Sequence, residues 1–200
     1  MAVNQSIDLS FSHILRTLLR QDPYIIMLGE LRDFESADVA LKAAQTGHLL
    51  LTSMHTSSIS EALHCCHGLG VDMLALSYCL SLIVNQRLVR RLCKRCKRPM
   101  TPLELSAMAS EEWLNAVATY NFCFGAVKPC LPIGCKACHG GFKVRFGVFD
   151  TQWPLDASKC ASVAQRELVD LGLEAGIRRQ GLWWVLSGHT TTAKVNRVIW

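Results

Sequence analysis

Two Cys-x-x-Cys pairs, Cys93-x-x-Cys96 and Cys135-x-x-Cys138, constrain this 200-residue chain more than any other feature. A two-residue spacer lets both sulfurs of a pair face one ion, so two pairs can set four thiolates around one tetrahedral metal. The 38 residues between the pairs (97–134) are more than a compact zinc ribbon needs, and they are expected to fold as a small subdomain. Basic residues beside Cys93 and Cys96 would offset the thiolate charge. Such a site is closed to water, so zinc (Zn2+) held there is expected to be structural. A disulfide pair and free core thiols are the alternatives. Cys123 and Cys130 are spare thiols within the insert, read as incidental.

The chain has ten cysteines, but not in the setting of a secreted disulfide framework. Met1–Asp22 has polar residues throughout and lacks a signal-peptide pattern. The longest apolar stretch, Met73–Val84, is broken by Ser77 and Ser81 and falls short of the roughly 20 residues that span a bilayer. A cytoplasmic location is expected, where thiols stay reduced and paired cysteines point to metal. The net charge of +5 sits largely in one run, Arg87, Arg90, Arg91, Lys94, Arg95, Lys97 and Arg98. Such a run can meet nucleic acid, anionic lipid or phosphate. It can equally be a solvated helix end, with cations near the last carbonyls. No aromatic residues interleave for base stacking, and no recognition helix adjoins the cysteines, so specific nucleic-acid binding is not expected.

Apolar spacing over 9–21 (Phe11, Ile14, Leu15, Leu18, Leu19) predicts a helix stopped by Asp22-Pro23. Tyr24–Leu28 is an unbroken apolar run of strand length, as in a buried parallel sheet. Asp33 is placed to cap a helix with Ala37, Ala40, Leu41 and Ala44 on one face and Gly47 at its end. His48–Ser53 reads as a second apolar strand. Helices are expected over 59–67 and 72–92, a short strand over Phe142–Phe149, and small helices over 155–199. Met1–Leu9 reads as a linker. Within the 59–67 helix, His64-Cys65-Cys66-His67 has a metal-like composition, yet at most His64 and His67 share a face, so it reads as ordinary helix.

Alternating strands and helices make a parallel sheet covered by helices, whose ligands sit at the carboxyl ends of strands. Two polar clusters fall at those ends, Glu30 to Asp33 and Thr52 to Thr56. Ile25-Ile26-Met27-Leu28-Gly29-Glu30 is a buried-type strand ending in a carboxylate, the Walker B arrangement that presents an acid to magnesium or to an attacking water. Taken alone, a carboxylate that caps the next helix explains it as well.

With Thr46-Gly47-His48-Leu49-Leu50-Leu51-Thr52-Ser53-Met54-His55-Thr56 beside it, and Leu18-Leu19-Arg20-Gln21-Asp22-Pro23 before it, the chain closely resembles the type II secretion/type IV pilus assembly ATPase family. The order and spacing are similar to that family's Walker B segment and His box. Asn85–Cys93 resembles its segment entering the metal subdomain, and Gly140–Val148 the segment leaving it. Gly181, Gly188, Thr190, Thr191 and Val195 match its C-terminal tail. The resemblance implies an α/β fold: a partial RecA-like P-loop ATPase core with a parallel sheet (1–92), a tetracysteine zinc subdomain (93–141), and a short strand with a helical C-terminal subdomain (142–200). It implies ATP and magnesium (Mg2+) as cofactors and a homo-hexamer formed with full-length subunits. It also implies inner-membrane secretion or pilus platform proteins as partners, with the chain peripheral at that membrane. By the same resemblance Glu30 is the Walker B carboxylate and His55 lies near the terminal phosphate. Asp33, Arg32, Thr52 and His48 support the nucleotide and magnesium site, with His48 ordering its strand.

A phosphate-binding loop, Gly-x-x-x-x-Gly-Lys-Ser/Thr, does not occur in these residues, since none of the thirteen glycines is followed by lysine. The chain by itself is therefore expected not to hydrolyse ATP. Other departures from the family are Cys65-Cys66 after the His box, Val144 in place of a usual glycine and Phe146 in place of a usual threonine. Two readings follow: a fragment of an ATPase, or a catalytically inactive, zinc-stabilised interaction module from a truncated or decayed gene.

Overall fold

The computed structural model describes residues 11–108, 110–124, 127–152 and 175–199. They form two compact units. One holds the described residues up to Ile83 together with Gln152, at the end of a strand; the other runs from Val84 to Thr151 and includes 175–199. The expected linker at Met1–Leu9 lies outside the described residues, as does all of 155–174, where part of the small helices was expected.

In the first unit the order is α1 (Phe11–Leu19), β1 (Ile25–Met27), α2 (Phe34–Gln45), β2 (Leu49–Leu51), α3 (Ile59–Gly68) and α4 (Met73–Cys79). β1 and β2 pair in parallel, with Ile25 opposite Leu49, Ile26 opposite Leu50 and Met27 opposite Leu51. The helices start where the sequence supplies caps: Asp33 accepts from Ser36 N–H, Ser58 from Glu61 N–H, and Asp72 from Leu74 and Ala75 N–H. α2 ends at Thr46, and Gly47 takes the left-handed turn at φ 95°.

Leu15 of α1 and Val39, Ala40 and Ala43 of α2 pack on Ile26 and Leu28. Small residues on α2 let it lie close against the strands. The expectation of a fully buried strand is corrected on the other face: Ile25 is 61% exposed, Met27 82%, Leu49 51% and Leu51 48%. Among the described residues only one layer of helices covers this sheet, so alternate side chains of an all-apolar strand are left bare.

In the second unit come β3 (Ile83–Leu92), β4 (Arg98–Pro99), α5 (Pro102–Ser106), α6 (Glu111–Phe124), β5 (Cys130–Leu131), β6 (Phe142–Gln152), α7 (Ala175–Leu186) and α8 (Thr192–Asn196). β3 pairs with β6, and β4 runs antiparallel to β5. A single helix over 72–92 does not form. α4 stops at Leu80, whose backbone is extended (ψ 105°), and the chain continues as strand β3. The error has a clear source. The buried positions of β3 are Asn85, Val89 and Leu92, spaced by four and three, which fits a helix as well as a strand. Ile83, Val84 and Val89 are β-branched and favour the strand. The basic run is accordingly a strand followed by a cysteine loop, and the reading as a solvated helix end falls with the helix.

The core of this unit joins Val89 and Val148 from the paired strands, Trp113 and Ala116 from α6, and Leu182, Val185, Leu186, Val195 and Ile199 from the C-terminal helices. The tail residues have packing roles. A Cβ on Gly181 would stand 2.7 Å from Val195 Cγ1, and one on Gly188 would stand 2.9 Å from Cys130 Sγ. Thr190, fully buried, donates to Arg90 C=O at 2.9 Å. α5 begins with a capping box, Thr101 and Glu104, and Glu104 also takes a two-pronged contact from Arg98 at 2.6 and 2.9 Å.

Candidate functional site

Because β1 and β2 are parallel and in register, the loops that follow them leave from one edge. They are stitched together there: Leu28 N–H donates to Leu51 C=O at 2.8 Å, Leu31 N–H to Ser53 C=O at 3.3 Å, and Ser53 hydroxyl to Gly29 C=O at 2.5 Å. This brings Glu30 and His55 together. His55 Nε2 lies 3.0 Å from Glu30 Oε2, and Arg32 pairs with the other oxygen, Oε1. Glu30 keeps 19% of its side chain exposed, against 89% for His55, so the carboxylate is held inward and the imidazole reaches in from solvent. The three residues line a cleft of about 610 Å³ together with Glu61, His64 and Cys65.

The remaining residues singled out from sequence are placed differently. Asp33 is committed to the helix: one oxygen accepts from Ser36 N–H at 2.8 Å and the other from its hydroxyl at 3.1 Å. Thr52 is exposed at the carboxyl end of β2. His48 sits at the opposite end of that strand, where Nδ1 lies 3.1 Å from Ala43 C=O and from Thr46 Oγ1, closing the turn out of α2. Three further cleft residues carry no site role in the sequence reading. Glu61 caps the start of α3, accepting from Ser57, and Ser58-x-x-Glu61 is the capping signature that could have placed it. His64 and Cys65 follow from their position on α3; their composition had drawn attention for a different reason.

In the second unit the sulfurs of Cys93, Cys96, Cys135 and Cys138 all lie within 4.8 Å of one another. Cys93 and Cys135 are 3.9 Å apart, Cys96 and Cys138 3.7 Å, and Cys135 and Cys138 3.6 Å. A metal with bonds of about 2.3 Å to four tetrahedral sulfurs requires S···S edges of about 3.8 Å, so these residues fit zinc. A disulfide would need roughly 2.05 Å. Among the described cysteines none is paired. Each pair turns tightly, Lys97 N–H to Cys93 C=O at 3.0 Å and Cys138 N–H to Cys135 C=O at 3.1 Å, which aims both sulfurs inward. Desolvation, with shared S–H contacts to Cys138, Cys93 and Cys135, pushes Cys96 up to about 12. Desolvation also acts on Cys138, but donation from the backbone and thiol of Cys135, from Cys96 and from Gly141 brings it down to about 7. A metal ion bound there would displace the thiol protons.

Among the described residues no helix is long and apolar enough to cross a membrane. Residues 1–197 match the family described as Type II/IV secretion system protein. The chain is 35% identical to the type IV pilus assembly ATPase PilB of Acinetobacter baylyi, over 98% of this chain and 34% of that protein. It is also 35% identical to the type II secretion system protein E of Aeromonas hydrophila, over 98% of this chain and 38% of the relative. It therefore spans little more than a third of the length of these relatives. The fold is similar to that of the pilus retraction motor PilT with bound ADP, at TM-score 0.61 and 20% identity over 94% of this chain and 43% of that one. It is also similar to the Legionella pneumophila ATPase DotB, at TM-score 0.58 and 18% identity over 95% and 42%. With the family match covering nearly the whole chain, the chain belongs to the type II/IV secretion system protein family.

Proposed function

We propose that this chain carries the Walker B and His box half of the nucleotide site of a secretion or pilus assembly ATPase. The observation that supports the reading best is the meeting of Glu30 with His55 at the carboxyl edge of two parallel strands, inside a cleft. In the complete enzyme, a homo-hexamer formed with full-length subunits, ATP and magnesium occupy this edge. Hydrolysis is coupled to pilin or pseudopilin assembly on inner-membrane platform proteins, with the ATPase on the cytoplasmic side. Bound ATP supplies a terminal phosphoryl group for transfer to water. Glu30 would hold the magnesium or orient the attacking water. His55 turns a ring N–H toward charge developing on the terminal phosphate. Arg32 shares Glu30 with His55, so a move of either side chain frees a carboxylate lone pair. Asp33 holds the loop through its cap, Thr52 offers a hydroxyl at the strand end, and His48 fixes the strand entry. Zinc held by the four cysteines would stabilise the second unit, and nucleic acid is not a specific partner.

The test joins residues 1–200 to the phosphate-loop portion of a close relative. Glu30→Gln in that protein should lower turnover by about 10²–10⁴, the range for a positioned acid or base, and leave nucleotide binding intact. Steady-state hydrolysis unaffected by the substitution would remove Glu30 from the mechanism. A joined protein that binds no ATP but still docks on intact subunits would favour the non-catalytic interaction module instead.

A further inference from the structure

The second unit carries a cationic groove of about 550 Å³, lined by Leu88 and Arg90 of β3, Val144 and Arg145 of β6, and Lys194, Arg197 and Val198 at α8. Four of these seven residues are cations, and no carboxylate is among them. Arg145 and Arg197 are both exposed, yet both line this one concavity, where like charges repel. Two of the cations are fixed in place. Arg90 lies 5.3 Å and Lys194 5.0 Å from the centroid of the buried Phe142 ring, and Arg90 also donates to His139 C=O at 3.3 Å.

β6 departs from regular strand geometry beside the groove. Val144 has φ 61°, the left-handed region that a β-branched residue enters only at a cost. In a regular strand, neighbours such as 144 and 145 face opposite sides. Here the left-handed residue breaks the alternation, and both line the groove. The strained residue therefore falls among the converging charges, as strained backbone often does at ligand sites.

We propose that this groove binds a small, soluble ligand bearing two or more phosphate groups. Arginine forks match phosphate oxygens in paired hydrogen bonds, and Lys194 adds a point charge. The volume suits a molecule of nucleotide size, and Leu88, Val144 and Val198 give its uncharged part apolar contact. A concave site favours such a ligand over a membrane surface, which a flat array of cations would meet better. The groove lies in a different unit from Glu30 and His55, and the proposal does not depend on their role.

Inorganic pyrophosphate is the probe, titrated calorimetrically into the zinc-loaded chain at low salt and at physiological salt. Saturable binding is expected, weakened about tenfold or more by Arg145→Gln and by Arg197→Gln, and less by Arg145→Lys. Lys143→Gln removes the same charge from the same strand outside the groove and should leave binding unchanged. Thermal melts of each variant show whether a loss comes from unfolding; where Arg145→Gln melts early, the folded Arg145→Lys protein decides. Three results would overturn the proposal: no saturable binding, an equal loss in Lys143→Gln, or binding only to vesicles of phosphatidylglycerol and not to pyrophosphate.

Discussion

His55 Nε2 stands 3.0 Å from Glu30 Oε2 across 25 residues of sequence, held there by the backbone ladder between the two strand ends. The pair couples the two motifs directly, so the two side chains should fail together. In the joined enzyme, His55→Ala is expected to lower kcat by about 10²–10³, as for loss of one donor to developing charge. His55→Gln keeps an N–H and should recover part of it. A double variant with Glu30→Gln should be little worse than Glu30→Gln alone. Fully additive losses would show that the two side chains act separately.

The chain purified under reducing conditions should carry one zinc. Cys96→Ser should lose it and unfold the second unit, because metal binding at such sites is linked to folding by on the order of 10 kcal/mol. The first unit, with its own core around Ile26 and Val39, should keep its helices. Elemental analysis with a chelator melt measures both, and zinc retained by the Cys96 variant would disprove the tetrad.

Val144→Gly should raise stability by about 0.5–1 kcal/mol. Relief of a left-handed β-branched residue gives about 1–2 kcal/mol, and the added freedom of glycine in the unfolded chain removes part of it. Urea denaturation reads the difference. A variant no more stable than the parent would mean that Val144 is not strained at φ 61°.

His189 adds a pH dependence. Desolvation first, then the positive charges of Arg91 and Lys97, hold its imidazole below the ordinary value of about 6.5. The unfolded chain therefore takes up a proton before the folded one does. The stabilisation is complete above pH 6.5 and is lost as pH falls below it. His189→Gln should flatten the decline of the melting temperature of the second unit between pH 7 and pH 5. An unchanged slope would assign the decline to other groups.

The first unit was legible where local rules and tertiary demands agree. Asp33 reads as a cap and is one, Gly47 reads as a helix end and takes a positive φ, and two apolar runs pair as parallel strands. The tetracysteine cluster was legible from spacing alone. Strand β3 was not, since Asn85, Val89 and Leu92 satisfy both periods and only pairing with β6 decides between them. Nor could spacing show how His48 and His55 divide. They frame one strand, and a strand carries its two ends in opposite directions, so one histidine closes a turn while the other meets Glu30. The single face left bare on Ile25 and Leu49 was hidden for a related reason: composition says that a strand can be buried on both sides, not that a second layer is there.

The hydrogen bond from Thr190 to Arg90 spans 100 residues, and Leu92 N–H reaches His189 C=O beside it. The second core thus has very distant members, with Val89 at one extreme and Ile199 at the other. Contacts so far apart form slowly, and during synthesis they cannot form until the last helix has left the ribosome. The four cysteines are all present once Cys138 has emerged. A growing chain can therefore knot its thiols around a metal while α7 and α8 are still unmade, which holds Leu92 and Phe142 near their final neighbour Cys130 until the helices arrive. Zinc already present during translation would then help this unit more than zinc added to the finished chain.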